Sequence, residues 1–199
     1  MTDRDFASLE ELNDAMRREF PSVAGVGGVV GGEGSILVPI AFVGEQPGDA
    51  EDREGRPFVG PAGRLLDHAL AEAEIDRGEA YMTNAVKQFH FTERGKRRIH
   101  RKPRTGEIVH QRWWLWREID LVRPRVIVAL GATAGLALAG RSVAVMRERG
   151  PMAFGNRRGV LTVHPSYLLR LPDATAKQAS FDAFVSDLRQ ARQIAQAAS

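Results

Sequence analysis

"ILVPIAFV", Ile36–Val43, running directly into "GEQPGDAED", Gly44–Asp52, is the stretch that decides the fold. Eight nearly continuous apolar residues, bounded by glycine and rich in β-branched and aromatic side chains, are too short for a core helix and read as a buried strand. Pro39 cannot donate to a ladder and predicts an irregular start. The polar segment Gly44–Asp52 therefore begins where a strand ends. Working outward, the pattern recurs. "AYMTNAV" (80–86) reads as a second buried strand ending at Asn84, and "RPRVIVALG" (123–131) as a third. "PMAF", the turn "GNRR" and "GVLTV" read as a hairpin-like approach to a fourth strand, which ends at "HPSYLLR", His164–Arg170.

Helical spacing separates these runs: "GRLLDHALAEAEI", "GEIVHQRWWLWREIDLV", the small-residue "ATAGLALAG" and a long final helix over about 176–194. Alternating strands and helices predict an α/β fold with a parallel sheet covered on both faces. Ligands of such sheets bind beyond the carboxyl ends of the strands. Three polar segments follow strand ends here and are expected to converge: Gly44–Asp52, Asn84 with the basic run after it, and His164–Arg170. Upstream, residues 6–19 have helical periodicity and "GVGGVVGGEGS" (25–35) carries neither helical nor strand signal. This predicts a loosely attached helix and Gly-rich linker over 1–35 and one domain over 36–199.

The 199 residues suffice for one such domain. There is no cysteine, which excludes disulfides, thiolate catalysis and cysteine-held metals. No two of the five histidines have HExxH spacing, so no metal site is expected. No apolar run approaches the roughly 20 residues of a membrane span, and "MTDRDFASLEEL" lacks signal-peptide character. The expectation is an intracellular, cytoplasmic protein without membrane contact.

Net charge is only +3, but "RGKRRIHRKPR", Arg94–Arg104, places seven cations in eleven residues, so the remainder is net acidic. Focused positive charge suits a polyanion, nucleic acid first, and the bland reading is a solvated loop. His100 sits among these cations, and a loop that only grips phosphate needs no imidazole.

Each remaining candidate has two readings. Glu45 follows a strand directly and is placed to orient a water or a histidine; Asp49, Glu51 and Asp52 share its loop and also fit a solvated acidic turn. "GEQPGD" is neither GxGxxG nor a P-loop. Phe58, in "RPFVGPAG", either stacks on a planar base or plugs the core. Asn84 either reads a pyrimidine edge with its amide or caps a loop. His164 is placed to donate to an oxygen gaining negative charge, and Tyr167–Arg170 form an apolar loop tipped with a cation that fits a wedge into a base stack or ordinary packing. Trp113, Trp114 and Trp116 read as helix-packing residues.

In order along the chain, "GEQPGDAED…PFVGPAG", "TNAVK" and "HPSYLLR" resemble the motifs of family 4 uracil-DNA glycosylases. "GKRRIH" resembles the additional loop of the UdgX subgroup, whose members bind uracil-DNA covalently through that loop's histidine. The resemblance spans about residues 36–190. It implies the three-layer α/β/α glycosylase fold with a four-stranded parallel sheet. It also implies Gln46 as a main-chain and side-chain contact to uracil, Phe58 as the stacking residue, Asn84 as the base reader, His164 as stabiliser of the uracil anion, Glu45 as the assisting carboxylate and His100 as the covalent nucleophile. Lys96, Arg97, Arg98, Arg101, Lys102, Ser166 and Arg170 are expected to hold the DNA. The implied partner is uracil-containing DNA, preferably single-stranded, bound by a monomer in a bacterial cytoplasm at the nucleoid. Family 4 proteins carry a [4Fe–4S] cluster on cysteines. None exist here, and His110–Gln111 stand where one is expected, so no cofactor is predicted and the helix tryptophans are expected to hold that corner. Two other functions remain open: an ordinary multi-turnover glycosylase of base excision repair, and a non-catalytic DNA-binding module.

Overall fold

The computed structural model describes residues 5–197. The elements in chain order are α1 (Leu9–Glu19), β1 (Val26–Val29), β2 (Ile40–Gly44), α2 (Asp49–Glu54), α3 (Pro61–Glu72), β3 (Ala80–Asn84), β4 (Gln88–Arg94), β5 (Arg97–His100), α4 (Thr105–Val122), β6 (Val126–Leu130), α5 (Gly131–Ala139), α6 (Val145–Glu148), β7 (Gly150–Phe154), β8 (Arg157–Thr162), α7 (Pro165–Leu169) and α8 (Ala174–Gln196). The first four residues of the N-terminal stretch lie outside the described residues.

The main sheet has the order β3-β2-β6-β8-β7. Its first four strands are parallel and β7 runs antiparallel to β8. This corrects the expected four-stranded parallel sheet to a five-stranded mixed one: the "GNRR" turn returns the chain as a hairpin, and β7 pairs with β8 along its whole length. Successive side chains on a strand face opposite ways. Thus Val126, Val128 and Leu130 of β6 pack with α3 and α8, while Ile127 and Ala129 pack with α4 and α5. Every residue of β2, β3 and β6 is buried, which is why these strands read as continuous apolar runs. Register aligns their ends: Gly44 pairs with Asn84, and Leu130 with Thr162.

A second sheet, β1-β4-β5, is a further correction. The basic run, expected as a loop, is largely an antiparallel hairpin in which Phe91 pairs with His100 and Arg94 with Arg97. The Gly-rich segment, expected as a linker, contains β1, paired with β4. Gln88 ties this region down, donating its side-chain amide to the carbonyls of Phe20 (3.2 Å) and Gly27 (2.9 Å). Nor is α1 loosely attached: Leu12 and Met16 are fully buried, in a cluster with Phe20 and Trp114 of α4. Among the described residues no helix is long and apolar enough to cross a membrane.

Beneath β3 lies a fully buried ion pair. Lys87 Nζ stands 2.5 Å from Glu118 Oε2, and both side chains are inaccessible to solvent. Thr83 Oγ1, Tyr81 Oη and the Gly32 N–H also donate to the Glu118 carboxylate. Burial lowers the Lys87 pKa and Glu118 opposes that drift. Removing one partner of such a pair strands the other, so Glu118→Ala should lose about 3–5 kcal/mol of stability. The check is a urea titration: the midpoint falls with unchanged slope, and an unchanged midpoint contradicts the assignment.

Candidate functional site

A cavity of about 880 Å³ opens at the aligned carboxyl ends of the parallel strands, and Glu45, Gln46, Phe58, Asn84, His100 and His164 all line it. Lys102, Ser166 and Arg170 line it too. The three polar segments therefore converge as the strand-end rule requires.

Glycines set how closely the wall residues meet. A Cβ on Gly44 would fall 2.4 Å from Asn84 Oδ1 and 2.7 Å from Phe58 Cζ, so only glycine lets both reach the strand end. A Cβ on Gly63 would lie 1.8 Å from the Phe58 carbonyl oxygen, so α3 seats directly beneath that loop. Phe58 has a left-handed backbone (φ 57°), uncommon for an aromatic residue and maintained by this packing. It is buried against the α3–α8 core while also lining the cavity. Asn84 is 4% exposed, and among the described residues no hydrogen bond involves its amide. A buried amide facing a cavity without a protein partner suits a ligand edge.

The acidic loop is an organising element and not a solvated turn. The Glu51 carboxylate accepts from the Gly48 N–H (3.0 Å) and the Gly60 N–H (3.1 Å), joining the loops after β2 and before α3. Asp49 and Asp52 grip Arg98 of β5, with Arg98 Nε donating to Asp49 Oδ1 at 2.5 Å and Nη1 to Asp52 Oδ2. Its guanidinium also lies over the Phe89 and Phe91 rings. Arg101 donates to both oxygens of Glu107, and this pairing, with the Arg104 N–H, holds the Glu107 carboxyl down at about 2 against a smaller opposing effect of burial. Of the cations expected to hold DNA, Arg98 and Arg101 are thus engaged within the protein, and neither lines the cavity; Lys96 and Arg97 stand exposed along the hairpin.

Gln46 latches the hairpin to the cavity. Its Nε2 donates to the carbonyls of His90 (3.2 Å) and Arg101 (3.1 Å), and its Oε1 accepts from the His90 N–H (3.3 Å) and faces His90 Nδ1 at 3.0 Å. The resemblance implied a side-chain contact from Gln46 to a base. The side chain is instead committed to β4 and the end of β5. Held by this latch and by the Arg98 clamp, His100 places Nε2 3.4 Å from Glu45 Oε1 with its ring about half exposed. Burial pushes the Glu45 carboxyl up, but hydrogen bonds from His100 and Thr133 outweigh it and the net displacement is downward, towards the carboxylate.

His164 caps α7. Its Nδ1 accepts the Ser166 N–H at 3.1 Å and lies 2.8 Å from Ser166 Oγ, which in turn accepts from Arg170. A backbone N–H can only donate, so in the neutral ring the proton sits on Nε2. Burial is the main cause that lowers the His164 pKa to about 4, against the pull of Glu45. The ring is a neutral N–H donor at physiological pH, suited to an oxygen acquiring negative charge.

Sequence reading missed the segment after β6, although the strand-end rule covers it. Gly131 and Ala132 line the cavity, and Thr133 Oγ1 donates to Glu45 Oε2. The corner that the resemblance assigns to an iron–sulfur cluster offers no thiolate. His110 packs edge-on against Phe20, Trp114 packs against Phe6 and Phe20, and Gln111 Oε1 accepts the Lys87 N–H at 2.6 Å. These residues do not fit the cluster; they are engaged in ring packing and a backbone hydrogen bond.

Residues 32–189 match the family described as the Uracil DNA glycosylase superfamily. A "Type-4 uracil-DNA glycosylase" of Thermotoga maritima is 42% identical over 145 residues, 71% of this chain and 72% of that protein. One of Pyrobaculum aerophilum is 36% identical over 152 residues, 72% and 74% of the respective chains. A third, of Sulfurisphaera tokodaii, is 42% identical over 103 residues, 51% of this chain and 44% of that protein.

Proposed function

The chain belongs to the uracil DNA glycosylase superfamily, and from that premise we propose that it excises uracil from DNA and then bonds to the sugar through His100, in the manner of the UdgX subgroup. The observation that carries the second half is the exposed His100 imidazole at the cavity, 3.4 Å from a carboxylate.

Lys96, Arg97, Lys102 and Arg170 hold phosphates, with Ser166 beside them, so affinity falls as salt rises. The uracil nucleotide leaves the stack and its base enters between the wall residues, against Phe58. Single-stranded DNA is favoured because no pairing has to be broken. The Asn84 amide meets the polar edge of uracil; cytosine presents a donor where uracil presents an acceptor and leaves a buried group unpaired. As the N-glycosidic bond breaks, its electron pair passes to the base, and the His164 Nε2–H donates to the oxygen on which that charge collects.

An imidazole nitrogen of His100 then forms a bond to the anomeric carbon, and the proton remaining on the other nitrogen passes to Glu45. A carboxylate nucleophile would give an ester that water opens. Alkylated imidazole is a far poorer leaving group, so the event happens once per molecule. All of these groups come from one chain, and a monomer is sufficient.

The test is a denaturing gel of the protein mixed with labelled uracil-containing single-stranded DNA. A shifted band that survives heat and detergent is the expected result. Free uracil in molar excess over protein, without that band, would identify an ordinary turnover enzyme; equal binding of uracil- and thymine-DNA with no base released would identify a binding module.

A further inference from the structure

We infer that Thr133, in the first turn of α5, is a positioning residue of this reaction: its hydroxyl holds one oxygen of the Glu45 carboxylate so that the other faces His100. The inference rests on the reading of Glu45 and His100 as the reacting pair.

Threonine in the first turn of a helix usually turns its hydroxyl onto nearby backbone. Thr133 does not. It is 3% exposed, and its Oγ1 donates to Glu45 Oε2, a partner on the loop after β2 and 88 positions away in sequence. The two carboxylate oxygens are divided between two partners: Oε2 takes Thr133 and Oε1 lies 3.4 Å from His100 Nε2. Glu45 has three side-chain torsions and its side chain lines the cavity, so a second anchor holds its carboxylate against rotation away from the imidazole.

The anchor itself is rigid. α5 begins at Gly131, whose left-handed backbone (φ 88°) leaves 3.0 Å between a hypothetical Cβ and the His164 β-carbon, so the helix start is packed against the strand end that carries His164. Further along, a Cβ on Gly135 would fall 2.4 Å from Val143 Cγ2, which shows how closely the helix is seated. The charged and titratable groups that act on Glu45 are His100 from β5 and His164 from the loop after β8, with Thr133 as the neutral donor from α5. Burial favours the protonated carboxyl, and the Thr133 hydroxyl is one of the groups that oppose it. Its loss should both misorient the base and make it harder to ionise.

The experiment compares wild type, Thr133→Val and Thr133→Ser in single-turnover assays of uracil release and adduct formation across pH, with DNA affinity and melting temperature measured alongside. Valine keeps the shape and removes the hydroxyl; serine restores it. Losing a hydrogen bond to a charged group, Thr133→Val should slow adduct formation by about tenfold or more at unchanged DNA affinity. Its acid limb should move to higher pH, because a carboxyl stripped of a donor is protonated sooner on the way down. Thr133→Ser should recover both. Where Thr133→Val melts below the assay temperature, Thr133→Ala carries the same comparison. A valine variant with wild-type rate and acid limb overturns the inference, as do valine and serine variants equally slow with unmoved acid limbs. Wild-type protein that forms no adduct at any pH overturns the reading of the pair itself, which is a different outcome from an adduct that ignores Thr133.

Discussion

The His100→Ala variant should leave no heat- and detergent-stable protein–DNA band, whereas the parent is expected to convert uracil-DNA to that band until one component is exhausted. A complete loss is expected because, within the β4–β5 hairpin, the cations are turned elsewhere: Arg98 is held by Asp49 and Asp52, Arg101 just beyond β5 by Glu107, and Lys96 and Arg97 do not line the cavity. In the proposed mechanism base release does not depend on His100, since the groups assigned to receive uracil are Phe58, Asn84 and His164. With the imidazole gone, water reaches the anomeric carbon beside Glu45, and the variant should release uracil in excess over protein. Lys102, which lines the cavity, is the internal control. A His100→Ala protein that still cross-links would move the nucleophile to that lysine.

The second large effect is on His164. In the proposed mechanism its Nε2–H donates to the charge that develops on the leaving base, in a buried setting where a fixed donor counts for more than in water. Removing one such donor costs about 10²–10³ in rate, and His164→Ala should lower the single-turnover rate of uracil release by that amount while DNA binding, carried by the hairpin and Arg170, changes little. Because burial lowers the His164 pKa to about 4, the ring stays neutral from pH 6 to 9 and contributes no limb to the rate profile there. A wild-type profile that falls as His164 titrates near neutrality would contradict its role as a neutral donor.

What the sequence disclosed follows from how each element is stabilised. Strands β2, β3 and β6 are buried on both faces, so their identity is written locally as unbroken apolar runs, and the rule for strand ends then places Glu45, Asn84 and His164 together. The hairpin β4–β5 carries no such record. Arg94–Arg104 reads as a charged loop, and its strand geometry comes from partners distant in sequence: the Arg98–Asp49–Asp52 clamp and the Gln46 latch. β1 was hidden for a similar reason, since Gly27 and Gly28 have poor strand propensity and are fixed by Gln88 and Asp52. α2 went unread because "DAEDRE" has no apolar face. Thr133 was legible in principle: it follows a buried strand end, as Glu45 and His164 do, but among small apolar residues its hydroxyl gave no sign of a partner across the sheet.

One measurement bears on the covalent claim without passing through kinetics. The adduct formed on uracil-DNA is digested with nuclease and protease, and the modified peptide is sequenced by mass spectrometry. An abasic deoxyribose remnant is expected on the imidazole of His100; a remnant on Lys102 or any other side chain, or recovery of His100 unmodified from protein that has released its uracil, would contradict the covalent role of His100.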